Sequence, residues 1–154
     1  MLSSIALLLH LVAINIWVGG SFFAIVILGK GIIKLETQQQ LLVWQLVLKR
    51  FFFWAWIAVA VLFSSGTGLI YLRYAGFQNT PLHILLMGII ALLMVLNFLF
   101  IYLVPYRQFR QLVQEEDVEA CLQKLHMIRM AGILNLVLGI CIVFVITGGP
   151  YLLY

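Results

Sequence analysis

The stretch HILLMGIIALLMVL, residues 83–96, decides the fold class of this chain. It lies in a segment without charged residues that runs from 74 to 106, and its apolar residues do not alternate with polar ones. A membrane β-strand alternates at every second residue, whereas a helix needs about 20 apolar residues in succession to cross a bilayer. The stretch therefore predicts a transmembrane helix.

Three more segments without charged residues surround it, at 1–29, 51–72 and 130–154. Together they predict an all-α membrane protein, an antiparallel bundle of four transmembrane helices in one domain (1–154), with helices near 4–28, 51–72, 82–104 and 130–149. Of the 154 residues, 65% are apolar and only 9% are charged, which excludes a soluble enzyme, a nucleic-acid-binding domain and a disordered chain. The expected surroundings are a lipid bilayer, with no nucleic-acid partner.

The basic residues predict how the bundle is oriented. Eight of the nine Lys and Arg residues lie in the 29–50 and 105–129 loops, and the ninth is Arg73. Basic residues near helix ends favour the cytoplasmic side. Both long loops should therefore be cytoplasmic, and both termini should lie on the outer, periplasmic side. The apolar periodicity of both loops predicts helical extensions rather than flexible links.

Polar residues inside the predicted spans are candidates for function, because burying them in lipid is costly. Counted at about 1.5 Å per residue from the outer helix ends, His10 lies roughly 10 Å deep on the first helix. Ser64, Ser65 and Thr67 lie roughly 8–12 Å deep on the second, and His83 and Met87 start the third. Arg73 lies just above them. These residues should converge in the outer half of the bundle.

The helical faces agree with that convergence. His10 and Trp17 share a stripe on the first helix, and His83, Met87 and Met94 share one on the third. In an up-down bundle these two helices are diagonal neighbours, so a cofactor could lie between them.

Imidazole suits haem iron and copper, and thioether suits haem iron or Cu(I). Either His83 or Met87 could face His10, and the sequence leaves that choice open. His10 could instead donate a hydrogen bond to a carbonyl or hydroxyl group on a neighbouring helix. Nearer the cytoplasmic side, Asn97 and Asn135 are expected to hydrogen-bond across the third and fourth helices.

Three stretches carry a resemblance to a known family. They are LHLVAINIWVGGSFF (9–23), KRFFFWAWIAVAVLFSSGTGLIY (49–71) and MIRMAGILNLVLGICIV (127–143). In this order they resemble the copper-resistance protein D (CopD)-like integral membrane family. More distantly, the chain resembles HemJ-type protoporphyrinogen oxidases. The CopD resemblance implies copper uptake or delivery across a bacterial inner membrane, and related compact bundles imply haem b with His10 as a ligand.

The leading hypothesis is a CopD-like redox protein that binds haem b in the outer half of the bundle. His10 would be one axial ligand and His83 or Met87 the other, while Arg73 pairs with a propionate and Trp17 packs on the ring. It would pass electrons from a membrane quinol to an acceptor at the outer face. The second hypothesis is a copper-handling protein whose metal ligands are His10, His83 and Met87. The third is a structural subunit without a cofactor, in a homo-oligomer or a larger membrane complex.

Overall fold

Four long helices make up almost all of the described chain. The structure is a computed structural model that describes residues 1–152. Its helices are α1 (Leu2–Gly31), α2 (Thr37–Tyr74), α3 (Leu82–Gln114) and α4 (Val118–Leu152). Within residues 1–152 there is no β-strand, and all four helices are long and apolar enough to cross a membrane. The predicted fold class is confirmed, and each predicted span lies inside one of these helices.

The bundle has two ends that differ in what they contain. The terminal end holds residue 1, the end of α4 and the turn at 75–81. The loop end holds the turns at 32–36 and 115–117. The turn at the terminal end is sharp, because Ala75 (φ 56°) and Gly76 (φ 127°) both take positive φ values directly after α2. Glycine tolerates that backbone best because it has no Cβ.

At the loop end, three helices continue well beyond the predicted spans, as expected. The end of α3 packs against the start of α4, where Phe109 is 0% and Cys121 is 1% exposed. Between these helices Asp117 accepts a hydrogen bond from the backbone N–H of Ala120 at 3.0 Å. This contact caps the first turn of α4, a role that a short acidic side chain fills well. The acidic residues around it are exposed.

The aromatic core lies in the half of the bundle nearer the loop end. Phe52 of α2 packs against Phe98 of α3 (5.7 Å between ring centroids) and against Tyr106 (4.3 Å). Trp17 of α1 meets Phe98 at 5.8 Å, edge to face. Large rings in such arrangements fill a core efficiently. In the other half, the buried positions include the small residues Ala13, Ser65 and Gly149. Fewer large rings lie between the helices there, where His10 and Ser65 approach each other.

Contacts between α1 and α4 fix their register. A Cβ built on Gly139 would lie 3.5 Å from Val18, and one built on Gly132 would meet the side chain of Ile25. The two contacts are seven residues apart on both helices, and the numbers run in opposite directions. The helices are therefore antiparallel with a constant offset, which allows the levels of other residues to be compared.

Candidate functional site

His10 is anchored to α2 through one nitrogen of its ring. Its Nδ1 lies 2.9 Å from the hydroxyl oxygen of Ser65. The Ser65 hydroxyl itself donates to the backbone carbonyl of Val61. Because a hydroxyl has only one proton to donate, Ser65 acts as the acceptor and the Nδ1–H of His10 as the donor. This assignment puts the proton on Nδ1 and leaves the lone pair on Nε2. A histidine that binds a metal through Nε2 needs this tautomer.

The contact with Ser65 is the hydrogen bond to a neighbouring hydroxyl that the sequence allowed as an alternative. The bond does not compete with metal binding, since it uses the nitrogen that a metal would not. Histidines that bind metals commonly donate their other N–H to a neighbouring group in this way. Gly66 makes room for the ring: a Cβ there would lie 3.3 Å from His10 Cε1.

His10 also faces the centre of the bundle. At about 100° per residue, His10 and Trp17 differ by only roughly 20° around α1. Trp17 is 4% exposed and contacts Phe98 of α3. His10 itself contacts α2, at Ser65 and Gly66, while Trp17 two turns along α1 reaches Phe98 of α3.

The register places His10 level with the first turn of α3. Extending the α1–α4 register outward from Val18 brings His10 level with Thr147 of α4. A Cβ on Gly149 would collide with the side chain of His83, so by this route His83 lies about 3 Å nearer the terminal end than His10. Met87, one turn further along α3, lies about 3 Å on the other side of that level. The direct contact of Trp17 with Phe98 instead places His10 about 12 Å deeper than His83.

The two candidate residues on α3 face in different directions. Taking His83 as the reference, Met87 lies roughly 40° and Phe98 roughly 60° around α3. His83 faces α4 at Gly149, whereas Phe98 faces Trp17 on α1. Met87 is therefore closer to the face that meets α1. Further along the same stripe, Met94 is buried at 3% exposure.

The remaining predicted site residues lie away from this level. Arg73 is exposed near the end of α2, about 12 Å beyond Ser65 along the helix. Trp17 lies about two turns deeper than His10 and packs on Phe98. His10, His83 and Met87 thus lie in the half of the bundle near the terminal end, and Arg73 and Trp17 lie further along their helices.

The polar layer nearer the loop end, formed by Asn97 and Asn135, contains the hydrogen bond that the sequence predicts. The Nδ2 group of Asn97 donates to Asn135 Oδ1 and to the carbonyl of Ala131, both at 2.8 Å. The expected hydrogen bond between α3 and α4 is confirmed. Asn15, a third asparagine within the spans, is exposed on α1. Its side chain bonds to the carbonyl of Leu11 in its own helix at 2.9 Å, which satisfies an exposed amide without a partner helix.

Ser65 and Arg129 were not identified as site residues from the sequence. Ser65 is one of three hydroxyl residues at a similar depth on α2, and only the rotation of α2 relative to α1 selects it. Arg129 lies over the ring of Trp44, with Cζ 6.0 Å from the centroid. The sequence does not reveal this contact, because several arginines lie near helix ends at the loops and nothing distinguishes Arg129 among them.

The donor types determine which metals could be held at this level. Within residues 1–152, no three side chains of His, Cys, Asp or Glu are grouped so that they could hold a metal ion. A thioether such as that of Met87 would add a soft donor to a metal bound by His10. One imidazole and one or two soft donors suit copper better than magnesium, calcium or manganese.

The fold and these side chains define a class of protein: a compact four-helix integral membrane protein with imidazole and thioether groups in one half of its bundle. A family model described as Copper resistance protein D matches residues 45–148. The match covers more than half of the chain, and the chain belongs to the CopD family of integral membrane proteins. It starts within α2, so it includes Ser65, His83 and Met87 but not His10. No curated protein and no solved structure matches the chain.

Proposed function

We propose that this CopD-family protein handles copper, binding the ion between α1 and α3 in the half of the bundle near the terminal end. His10 Nε2 and the Met87 sulfur are the proposed ligands, and His83 is the proposed third. One observation carries this proposal: Ser65 holds His10 through Nδ1, which frees Nε2 at the level of Met87.

The chemistry of these donors supports copper as the cargo. Thioether sulfur is a soft ligand that selects Cu(I), and imidazole binds copper in both common oxidation states. The family description names copper as well. Met94 continues the methionine stripe toward the middle of α3, so it offers a second thioether for an ion that moves further along the bundle.

The proposed direction follows from the charge pattern. The basic loops are expected in the cytoplasm, so the copper site lies on the periplasmic side of a bacterial inner membrane. His83 is nearest the terminal end, and we propose that it is the first ligand that an entering ion meets.

Haem b, quinol oxidation and a purely structural role remain competing hypotheses from the sequence. Haem b would use His10 with His83 or Met87 as axial ligands. No contact in the structure favours haem over copper: α1 and α3 meet through Trp17 and Phe98, and His83 lies against Gly149. These hypotheses become outcomes of the experiment that tests copper binding.

The experiment measures copper bound to the purified protein under reducing conditions, by metal analysis and by competition with a chromophoric Cu(I) chelator. The wild type should bind copper stoichiometrically. His10→Ala and Met87→Leu should each lose most of this binding, because each removes one donor. Met130→Leu is the matched control, since Met130 is 53% exposed on the outside of the bundle and should have no effect.

The outcomes separate the hypotheses. Equal loss of copper in Met130→Leu, or full retention in His10→Ala, would overturn the proposed ligands. A Soret band with a sharp α-band in the reduced protein would identify haem b instead. A protein that binds neither copper nor added haem would support the structural subunit.

A further inference from the structure

A second polar site lies in the other half of the bundle, between the helices near the loop end. A cavity of about 30 Å³ lies there, partly open to the outside of the bundle. Aromatic residues form much of its wall, and the polar side chains that reach it are Arg129, Asn135 and Ser21. The proposed copper site is not involved, because none of its ligands lines this cavity.

The groups that line this cavity are rich in hydrogen-bond donors. Asn135 is only 5% exposed and its Oδ1 already accepts a bond from Asn97, so its free capacity is the Nδ2 amide. Arg129 is half-buried, and its guanidinium group can only donate. Ser21 has committed its proton to the carbonyl of Trp17 at 2.8 Å, which leaves it a weak acceptor only.

The positive charge of Arg129 is not balanced by a carboxylate in the cavity. All five acidic residues of the chain lie in or beside the two turns at the loop end, at positions 36, 115–117 and 119, and none of them lines the cavity. The guanidinium lies instead over Trp44, with Cζ 6.0 Å from the ring centroid, and close to Gly29 of α1. Burying a charge without a counter-ion is costly.

We infer that this cavity binds a small anion of about halide size, held by Arg129 and the Asn135 amide. A charge-assisted hydrogen bond from a guanidinium is among the strongest that a protein can offer. The volume sets the size limit, since a cavity needs about 10–15 Å³ for each water-sized occupant. Two waters or one halide would fit, whereas a lipid phosphate with its attached chains would not. The inference goes beyond copper handling and does not depend on it.

Iodide is the probe, because it quenches tryptophan fluorescence on contact and two tryptophans, Trp17 and Trp44, line the cavity. The full-length protein in detergent is titrated with sodium iodide at constant ionic strength, with gluconate as the balancing anion. The wild type should show a saturable phase of quenching in addition to the linear, collisional phase. Arg129→Gln should raise the half-saturating iodide concentration about tenfold or more.

Two further variants keep the test decisive. Arg110→Gln removes a second arginine that lies over an aromatic ring, Tyr106 (6.0 Å), but that does not line the cavity, and it should keep the saturable phase. Asn135→Asp preserves the acceptor for Asn97 and puts a carboxylate on the wall of the cavity, so it should abolish saturable quenching even if Arg129→Gln does not fold.

The inference fails if the wild type shows only linear quenching, which would mean that the cavity holds water alone. It also fails if Arg110→Gln loses the saturable phase as fully as Arg129→Gln, because iodide would then be responding to the general positive potential of the surface.

Discussion

At the scale of single residues, the hydrogen bond between His10 and Ser65 determines what the histidine can do. An imidazole that is free to rotate in a helix bundle could offer either nitrogen. Here Ser65 is itself oriented by its bond to Val61, so the histidine receives a fixed acceptor and a fixed tautomer. Such supporting contacts commonly change metal affinity by about 10–100-fold.

Ser65→Ala should therefore weaken Cu(I) binding by about 10–100-fold without abolishing it, because the ligands stay but His10 loses its anchor. Ser64→Ala is the matched control: Ser64 is exposed and bonds only within α2, to the carbonyls of Ala60 and Val61. Competition with a chromophoric chelator measures both affinities. Equal affinities for the two variants would contradict the role assigned to Ser65.

The residue scale is also where prediction from the sequence was least complete. The expected depths of His10 and Met87, roughly 8–10 Å, and of His83, at the outer rim, follow from counting residues along helices. The choice of Ser65 rather than Ser64 does not, since both lie at similar depth and only the packing angle of α1 on α2 separates them. The sequence also left open whether His83 or Met87 is the ligand, and it gave no sign that His83 packs against Gly149 of α4.

At the scale of helices, close packing between α3 and α4 fixes the position of His83. A glycine at position 149 lets the backbone of α4 approach the root of the His83 side chain, where any Cβ would collide with it. Small residues allow membrane helices to approach in this way.

The helix bounds themselves were largely predictable, because charged residues delimit each span, and the helical extensions at the loop end followed from apolar periodicity. The π-helical segments Asn15–Gly19 and Tyr102–Tyr106 have no comparable signal, although Pro105 lies within the second.

Gly149→Ala should destabilise the protein by about 1–3 kcal/mol and displace His83. Gly88→Ala is the control on the same pair of helices, because a Cβ at Gly88 meets nothing within 4 Å. There the change should be neutral, or stabilising by up to about 1 kcal/mol, since alanine favours a helix more than glycine does. Thermal unfolding in detergent gives the comparison, and a Gly149→Ala protein as stable as Gly88→Ala would show that α4 can move aside freely.

At the scale of the whole molecule, the charges divide the bundle into two unequal ends. The loop end carries eight basic residues and the terminal end carries Arg73, an asymmetry that predicts which side of the membrane each end faces. The number of helices and their antiparallel order were predictable from the same distribution. The cavity beside Arg129 was not, because it exists only where all four helices leave space between large rings.

The predicted orientation can be tested by labelling with a maleimide that does not cross membranes, in a Cys121→Ser, Cys141→Ser background. Arg73→Cys and Lys34→Cys place single thiols at exposed positions at the two ends. Arg73→Cys should be labelled in intact cells with a permeable outer membrane, and Lys34→Cys only after the inner membrane is disrupted. The reverse pattern would invert the proposed direction of copper entry.

The hydrogen bonds between helices join neighbours in the chain. His10 of α1 finds its partner in α2, and Asn97 of α3 finds its partner in α4. The α1–α2 pair can therefore satisfy its polar groups before α3 and α4 have been synthesised, and the α3–α4 pair satisfies its own without the first pair. During biogenesis the chain can enter the bilayer as two hairpins, each leaving the insertion machinery with its costly polar groups already shielded from lipid.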